Sequence, residues 1–314
     1  IARDAVSPAI AASDHAVGAV ASRDADRAER FAAENGIPRS YGSYEALLED
    51  GAIDAVYVPL PNGRHAEWTK RAADAGLDVL CEKPLAADAD EARAAVDRCT
   101  ERGVTLMEAF MYRYHPRTER AVALAATELD DVRTVTATFR FPLYDRPNDV
   151  RLDPDLAGGS LMDVGCYPVS LARTILGTPD RVYAHVGDTR DAGVDTELAG
   201  VLAYDDGRSA RVASGFDTRL VQRYRIDATN GWIEVEQAFD APTDEAVDLS
   251  YEIDDRHGVE TFPAVDQYRL QVEHFADCVA DGTAPLTGGT EAVANMRIVD
   301  ALAESAATGG PVDC

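Results

Sequence analysis

Apolar runs and amphipathic stretches alternate along the N-terminal third of the chain. The apolar runs predict strands at 15–22, 52–59, 78–81 and 104–110, and the stretches between them predict helices at 24–35, 64–75 and 88–102. A glycine able to adopt the left-handed conformation that ends a helix follows each of them, at Gly36, Gly76 and Gly103. Strands that alternate with helices in this way predict a Rossmann-like domain with a doubly wound parallel sheet.

The pattern changes near 112–116, where we place a domain boundary. A helix predicted at 116–126 is followed by strands at 133–141, 181–186, 197–204, 209–215, 223–229, 232–236 and 247–253. Strong hairpin turns join two pairs of these strands, at Asp205-Asp206-Gly207 and Asn230-Gly231, so the sheet is predicted to be open and mostly antiparallel. Further helices are predicted at 163–176, 267–279 and 291–306. The chain thus divides into a dinucleotide-binding domain, 1–115, and an α+β domain for substrate binding and dimerisation, 116–314.

Alternation along 197–215 predicts how this sheet associates. One set of alternate positions faces the helices, namely Leu198, Gly200, Leu202, Val212 and Ser214. The opposite face is then left without cover, and a second copy of the chain can supply it. We therefore expect a homodimer, or a higher homo-oligomer, formed face to face through the C-terminal sheet.

Acidic residues dominate the charge of this 314-residue chain: 56 Asp and Glu stand against 30 Lys and Arg, a formal net charge of −26. Such a field repels nucleic acid and anionic membrane surfaces, so neither is expected as a partner. An acidic surface with almost no lysine is typical of proteins adapted to high salt, where screening shortens the repulsion. Five cysteines without a CxxC pair, and histidines without partners at ligand spacing, predict neither a disulfide framework nor a metal site. We expect a cytoplasmic protein.

Lysine is the rarest source of positive charge here. Lys70 and Lys83 are the two lysines, and every other cationic side chain is arginine. Lys83 lies just past a predicted strand. A lysine there can be an ordinary solvated residue on a turn, but an ammonium also has a pKa that shifts readily on burial, which suits it to chemistry that guanidinium cannot perform.

The N-terminal domain also carries features of a nucleotide site. The chain opens at Ile1-Ala2 and continues as a helix-like stretch, as if the first strand and most of a Gly-rich phosphate turn were missing, with Ala2 as the last small residue of that turn. After the next strand comes Ser22-Arg23, with Arg27 one helical turn further on. An acidic residue at this point binds the ribose hydroxyls of NAD, whereas arginine accommodates a 2′-phosphate. These arginines favour NADP, although exposed arginines at an ordinary helix start are the alternative.

Asp163 and Tyr167 form a third constellation. If Asp163 opens a helix, the two residues lie at i and i+4 and project from one face. A carboxylate beside a phenol is a usable acid–base unit when a cation lowers the phenol pKa from about 10. In the alternative interpretation, Asp163 is a helix N-cap and Tyr167 is a packing residue.

Several of these segments together resemble motifs of the glucose–fructose oxidoreductase/inositol dehydrogenase (Gfo/Idh/MocA) family. They are Pro61-Asn62-Gly63-Arg64-His65, Cys81-Glu82-Lys83-Pro84-Leu85, Met111-Tyr112-Arg113-Tyr114-His115-Pro116, and the run from Gly158-Gly159-Ser160 to Asp163-Val164-Gly165-Cys166-Tyr167. The resemblance extends over nearly the whole chain. It implies NADP-dependent oxidation of a cyclic aldose at C1, of a D-xylose-like pentose to a lactone. A dihydrodiol or polyol dehydrogenase, and a non-catalytic NADP-sensing regulator on the same fold, are the alternatives.

The resemblance also implies roles for individual residues. Lys83 and Tyr167 would be catalytic, with Tyr167 accepting the hydroxyl proton, and Asp163 would orient the substrate or Lys83. The nicotinamide half of the cofactor would lie among Asn62, His65, Glu82, Lys83 and Arg113. With Ala2, Ser22, Arg23, Arg27 and the strand-end residue Pro59, these complete the expected cofactor site.

Overall fold

Two small parallel sheets form the N-terminal part of the protein. The structure is a computed structural model and describes residues 1–144 and 146–314. Strands β1 and β2 pair with each other, and β3, β4 and β5 form a second sheet in that order. The strands are β1 Val20–Ala21, β2 Ser40–Tyr41, β3 Ala55–Val58, β4 Asp78–Glu82 and β5 Leu106–Ala109. Their helices are α1 Ser7–Ala11, α2 Ala25–Asn35, α3 Tyr44–Leu48, α4 His65–Asp74 and α5 Ala89–Arg102.

The predicted strand–helix alternation is confirmed, with local corrections. The strand predicted at 15–22 pairs only over β1, and β2 and α3 were not predicted because both are very short. Gly36 and Gly103 end α2 and α5 in the left-handed conformation, as expected. The opening residues are helical, in a π-helical turn at Ala2–Val6 that runs into α1. β1 and β3 have no strand between them in the described chain, and the space there belongs to a large cavity.

The C-terminal part is built on a nine-stranded sheet. Its strand order is β13-β12-β11-β10-β6-β9-β8-β7-β14. The strands are β6 Val132–Arg140, β7 Arg181–Gly187, β8 Glu197–Ala203, β9 Ser209–Gly215, β10 Val221–Ala228, β11 Gly231–Glu236, β12 Val247–Ile253, β13 Arg256–Phe262 and β14 Val312–Asp313. Among the pairs that the structure describes, β6 with β9 is parallel and the others are antiparallel, which confirms the predicted mostly antiparallel sheet.

Helices cover one face of this sheet. They are α6 Pro116–Thr127, α7 Cys166–Leu176 and α9 Gly289–Thr308, whereas α8 Gln267–Asp281 packs mainly against α1 and the turn Met111–Tyr114. Leu198 and Leu202 of β8 are buried beneath them, whereas Ala199 and Val201 point to the opposite, exposed face. The predicted alternation is therefore confirmed. The sequence did not predict β13, because this strand at the edge of the sheet is largely exposed and has little apolar periodicity. No helix in the described parts of the chain is long and apolar enough to cross a membrane.

Candidate active site

A single large cavity connects most of the residues singled out in the sequence. It encloses about 1450 Å³ and reaches from the gap between β1 and β3 to the start of the helix that continues into α7. Its lining includes Ala2, Ser22, Arg23, Arg27, Pro59, Asn62, His65, Glu82, Lys83, Asp163 and Tyr167.

The inner end of the cavity is organised around Asp163. The Lys83 ammonium donates to the Asp163 carbonyl oxygen at 2.6 Å and to its Oδ1 at 3.1 Å. Arg151 Nε donates to the other carboxylate oxygen, Oδ2, at 2.8 Å. Both oxygens of one buried carboxylate are thus bonded to cations, and Lys83 is held by two bonds to a single residue. Asp163 therefore fixes where the ammonium points.

Burial and neighbouring charges have opposite effects on the pKa values of Lys83 and Asp163. Burial disfavours the charged ammonium, but the attraction of the Asp163 carboxylate outweighs it and raises the pKa of Lys83. Burial likewise opposes the charge of Asp163, and the nearby Lys83 and Arg151 outweigh it, so the pKa of Asp163 is lowered. Lys83 remains an ammonium and Asp163 a carboxylate at neutral pH. Lys83 is consequently a donor and a positive charge in this site, not a base.

Tyr167 lies beside this group, with the Lys83 Nζ 5.1 Å from its ring centroid. Its ring packs in an aromatic cluster with Phe110, Phe139 and Phe239. Within residues 1–144 and 146–314, its hydroxyl contacts one polar atom, the Met111 thioether sulfur at 3.4 Å. A thioether is a weak acceptor, so the phenol keeps its capacity to bond a ligand in the cavity.

The predicted electrostatics of Tyr167 need a correction. The acid–base unit considered from the sequence requires a cation that lowers the Tyr167 pKa, but burial raises this pKa well above its usual value, and surrounding acidic groups such as Glu82 add to the rise. The Lys83 charge does not offset this rise in pKa, because the ammonium forms an ion pair with Asp163. In the free protein the phenol is therefore protonated.

Local sequence explains how Asp163 reaches Lys83. The segment Leu161–Gly165 forms a π-helical turn that continues into α7, so Asp163 sits inside the first turn and is not the N-cap. π-helical turns occur often at functional sites. Gly159 precedes this turn with a φ of 113°, and a side chain there would collide with Asp195. Asp195 accepts bonds from the Ser160 hydroxyl at 2.7 Å and from the Leu161 N–H at 2.8 Å, and so fixes the start of the helix.

The outer end of the cavity is the start of α2. Asp24 is its N-cap, accepting a bond from the Arg27 N–H at 3.1 Å, and Ser22 Oγ accepts from the Asp24 N–H at 3.3 Å. Arg23 and Arg27 are exposed, and neither guanidinium has an ion-pair partner in the described residues. Two free guanidinium groups beside a helix N-terminus form a site suited to an anionic group such as a phosphate.

The remaining residues predicted to bind the cofactor differ in whether their polar atoms already have hydrogen-bond partners. Asn62 Nδ2 donates to the Ala157 carbonyl at 2.9 Å, and Glu82 Oε1 accepts from the Tyr57 hydroxyl at 2.6 Å. Both ring nitrogens of His65 lie 2.7 Å from backbone carbonyl oxygens, and because burial lowers the pKa of His65, the neutral ring has one N–H and donates to one of the two. Arg113 is not part of the cavity lining; it donates to the Thr174 hydroxyl at 2.7 Å.

Sequence reasoning missed several residues that the fold brings to the cavity. Arg151 stands in an irregular segment with no strand or motif signal, yet it binds Asp163. Gln222, Asp240 and Tyr268 come from three separate elements and line the same cavity, with the Tyr268 hydroxyl 3.3 Å from Asp240 Oδ1. Nothing in their sequence spacing links them, because only the fold brings together β10, the segment after β11 and the first turn of α8.

Comparison with known proteins places the chain in a family. Residues 1–110 match the model of the oxidoreductase family with an NAD-binding Rossmann fold, and residues 121–234 match the C-terminal domain model of the Gfo/Idh/MocA proteins. The two matches lie on either side of the predicted domain boundary. The chain belongs to the Gfo/Idh/MocA oxidoreductase family, which confirms the predicted resemblance, fold class and enzyme class.

Individual relatives agree with this placement. The chain is 56% identical to a D-xylose 1-dehydrogenase (NADP(+)) 2 from Haloferax volcanii, over 98% of this chain and 95% of that protein. The structure superposes with a TM-score of 0.91 on a 3-ketoreductase from Actinomadura kijaniata in complex with NADP and TDP-benzene, 32% identical, over 97% and 94% of the two chains. An aldose–aldose oxidoreductase from Caulobacter crescentus, complexed with glycerol, gives 0.89 at 28% identity, over 98% and 95%.

Proposed function

We propose that this protein oxidises a cyclic aldose at C1 with NADP, and that a D-xylose-like pentose is its substrate and a lactone its product. One observation carries the proposal: a single cavity joins two free guanidinium groups at its outer end to the buried Lys83, Asp163 and Tyr167 at its inner end. The relatives that act on sugars, and the relative named for NADP, support the same substrate class and cofactor.

The residues at the outer end fit NADP. Arg23 and Arg27 offer guanidinium donors to a 2′-phosphate, and Ser22 stands beside them without an acidic residue in its place. Asp24, the acidic residue that follows, is used as the N-cap of α2. Ala2 and Pro59 line the same end, and Asn62 and Glu82 lie nearer the inner end. Bound there, NADP supplies the nicotinamide C4 that accepts a hydride from C1 of the sugar.

At the inner end, the chain's own residues handle the hydroxyl at C1. Lys83 donates a hydrogen bond to that oxygen and stabilises the negative charge that develops on it. Tyr167 takes its proton as the base. Because burial keeps the Tyr167 phenol protonated in the free protein, the phenol must first release its proton to solvent, and positive charge from a bound ligand would lower its pKa for that step. Asp163 and Arg151 keep the ammonium in place.

A kinetic panel tests the proposal. Pentoses, hexoses and trans-dihydrodiols are offered at molar salt with NADP or NAD, and NADPH absorbance is followed. We expect turnover of D-xylose-like aldopyranoses with NADP, and a lactone as the product by mass spectrometry. Turnover of the dihydrodiols in preference to every sugar would support the alternative dehydrogenase, and NADP binding without turnover of any compound would support a regulator.

We also propose that the exposed face of the C-terminal sheet pairs with a second copy of the chain. Tyr183 of β7 and Val201 of β8 are 46% and 41% exposed, and Ala199 and Ala203 lie beside them on the same face. Adjacent exposed apolar side chains on a flat sheet are an unfavourable surface for a monomer. Sedimentation at molar salt should give a dimer at micromolar concentration and a monomer for Val201→Glu. A wild-type monomer would contradict the proposal.

A further inference from the structure

The peptide bond between Pro84 and Leu85, one residue after Lys83, is contacted from two sides. His65 Nδ1 lies 2.7 Å from the Pro84 carbonyl oxygen, and the Leu85 N–H donates to Glu108 Oε1 at 2.8 Å. The carbonyl and the N–H belong to the same peptide bond. His65 and Glu108 are 0% and 2% exposed, so both contacts are shielded from water. The turn that carries Lys83 is therefore fixed by two buried side chains.

These side chains also connect neighbouring strand ends. His65 opens α4 after β3, and its Nε2 lies 2.7 Å from the carbonyl oxygen of Leu60. Glu108 belongs to β5, and its own backbone is anchored, since its N–H donates to the Thr287 carbonyl at 2.8 Å and its carbonyl accepts from the Thr287 hydroxyl at 2.6 Å. These contacts connect the carboxyl ends of β3, β4 and β5 next to Lys83.

We propose that Glu108 is a positioning residue for the reaction: its carboxyl accepts the Leu85 N–H and so fixes the turn that aims Lys83 at Asp163. The proposal rests on the catalytic role proposed for Lys83. Glu108 does not line the cavity and touches neither substrate nor cofactor space. Its influence on the chemistry passes through Leu85 and the backbone to Lys83.

The surroundings of Glu108 explain why its carboxyl is uncharged. Within the described residues, no cation bonds to it, and the nearest one, Arg173, pairs with Glu291 at 3.1 Å. The other titratable groups around it are the carboxylates of Glu291 and Glu82, which repel a negative charge, and the thiols of Cys81 and Cys166, which burial keeps uncharged. Burial, the largest cause, raises the pKa of Glu108 to about 8, and the bond from the Leu85 N–H only partly opposes it. A neutral carboxyl still accepts that bond through its carbonyl oxygen.

Two substitutions separate the acceptor from the charge. Glu108→Gln keeps an acceptor oxygen and is expected to retain kcat within about twofold, whereas Glu108→Ala leaves the Leu85 N–H unpaired. A catalytic group displaced by an ångström loses up to about 100-fold in rate, so we expect Glu108→Ala to lower kcat by about 10- to 100-fold with little change in the Kd for NADP. Ser305→Ala is the matched control, because it removes a buried acceptor of the Ala184 N–H far from the cavity. It should lower Tm and leave kcat unchanged.

Stability as a function of pH gives a readout that does not depend on activity. In the unfolded chain Glu108 ionises near its ordinary pKa of 4.5, whereas the folded protein keeps it protonated up to about pH 8. The unfolded state therefore binds fewer protons in this window, and stability falls as pH rises through it. Glutamine does not ionise, so the Glu108→Gln protein does not lose stability in this way. The Tm of Glu108→Gln minus that of wild type should grow from about pH 5 to about pH 8 and level off above it.

The outcomes separate this inference from the proposed function. A folded Glu108→Ala protein with wild-type kcat, while Lys83 substitution still abolishes turnover, overturns the positioning role alone. Full turnover after Lys83 substitution overturns the proposed function itself. A Glu108→Gln protein that loses as much kcat as Glu108→Ala, or a Tm difference that does not grow with pH, would mean that the charged carboxylate is the working form and would also overturn the inference.

Discussion

The two ends of the cavity are built on opposite principles. At the outer end, Arg23 and Arg27 are exposed and free of ion pairs with described residues, and their position follows from the start of one helix. At the inner end, Lys83, Asp163 and Arg151 are bonded to one another across segments up to 80 residues apart. The guanidinium groups of the outer end are available to bind an anionic ligand, whereas the charged groups of the inner end are already bonded to one another through Asp163. Affinity for cofactor should therefore be separable from catalysis by mutation.

The inner end offers the largest expected effect. Tyr167→Phe keeps the aromatic packing with Phe110 and Phe139 and removes only the hydroxyl. We expect kcat to fall by about 10²- to 10⁴-fold, since a positioned acid–base group contributes this much, with NADP affinity unchanged. Steady-state kinetics and a fluorescence titration with NADPH measure the two quantities. Near-wild-type turnover would remove Tyr167 from the mechanism.

Lys83→Arg tests whether an ammonium is required. The planar guanidinium is larger and cannot occupy the ammonium position 2.6 Å from the Asp163 carbonyl, so kcat should fall at least about tenfold. Lys70→Arg is the control, because this other lysine lies on α4 outside the cavity lining. If Lys83 and Tyr167 act as one unit, the double mutant should be little worse than either single mutant. Fully multiplicative losses would mean that the two residues act independently.

Substitution at the outer end should change cofactor choice more than turnover. Arg23→Ala removes one charge-assisted phosphate contact and should raise the KM for NADP by about 10- to 100-fold, with little change for NAD. Arg30→Ala is the matched control, because Arg30 is an exposed arginine of α2 that does not line the cavity. Equal losses with both cofactors would argue against a 2′-phosphate contact at Arg23.

Salt should change the stability of the whole molecule and should have the least specific effect on either end of the cavity. With a net charge of −26, repulsion among surface carboxylates extends further in dilute buffer than at molar salt, where the screening length is about 3 Å. We expect Tm to rise by more than about 5 °C between dilute and molar potassium chloride. Thermal melts followed by circular dichroism measure the shift. An unchanged Tm would remove the hypothesis of adaptation to high salt.

Local pattern was sufficient for much of the architecture. β8 and β9 alternate buried and exposed residues with period two, and a glycine in a positive-φ turn joins them, so their pairing could be predicted. The same reasoning failed for β13, whose residues are largely exposed, and for the strand expected at 15–22, which pairs over two residues. Periodicity reports burial, and it is silent where an element is short or lies at an edge.

The sequence by itself determined the residue types of the site and the anchors of its outer end. A nearly unique lysine after a strand, an arginine pair at a helix start and the Asp163–Tyr167 spacing are all local features. Only the tertiary structure decided that Asp163 binds Lys83, that Arg151 completes the group, and that burial keeps Tyr167 protonated. Hydrogen bonds and desolvation between distant segments depend on how the domains pack, and no local pattern encodes that packing.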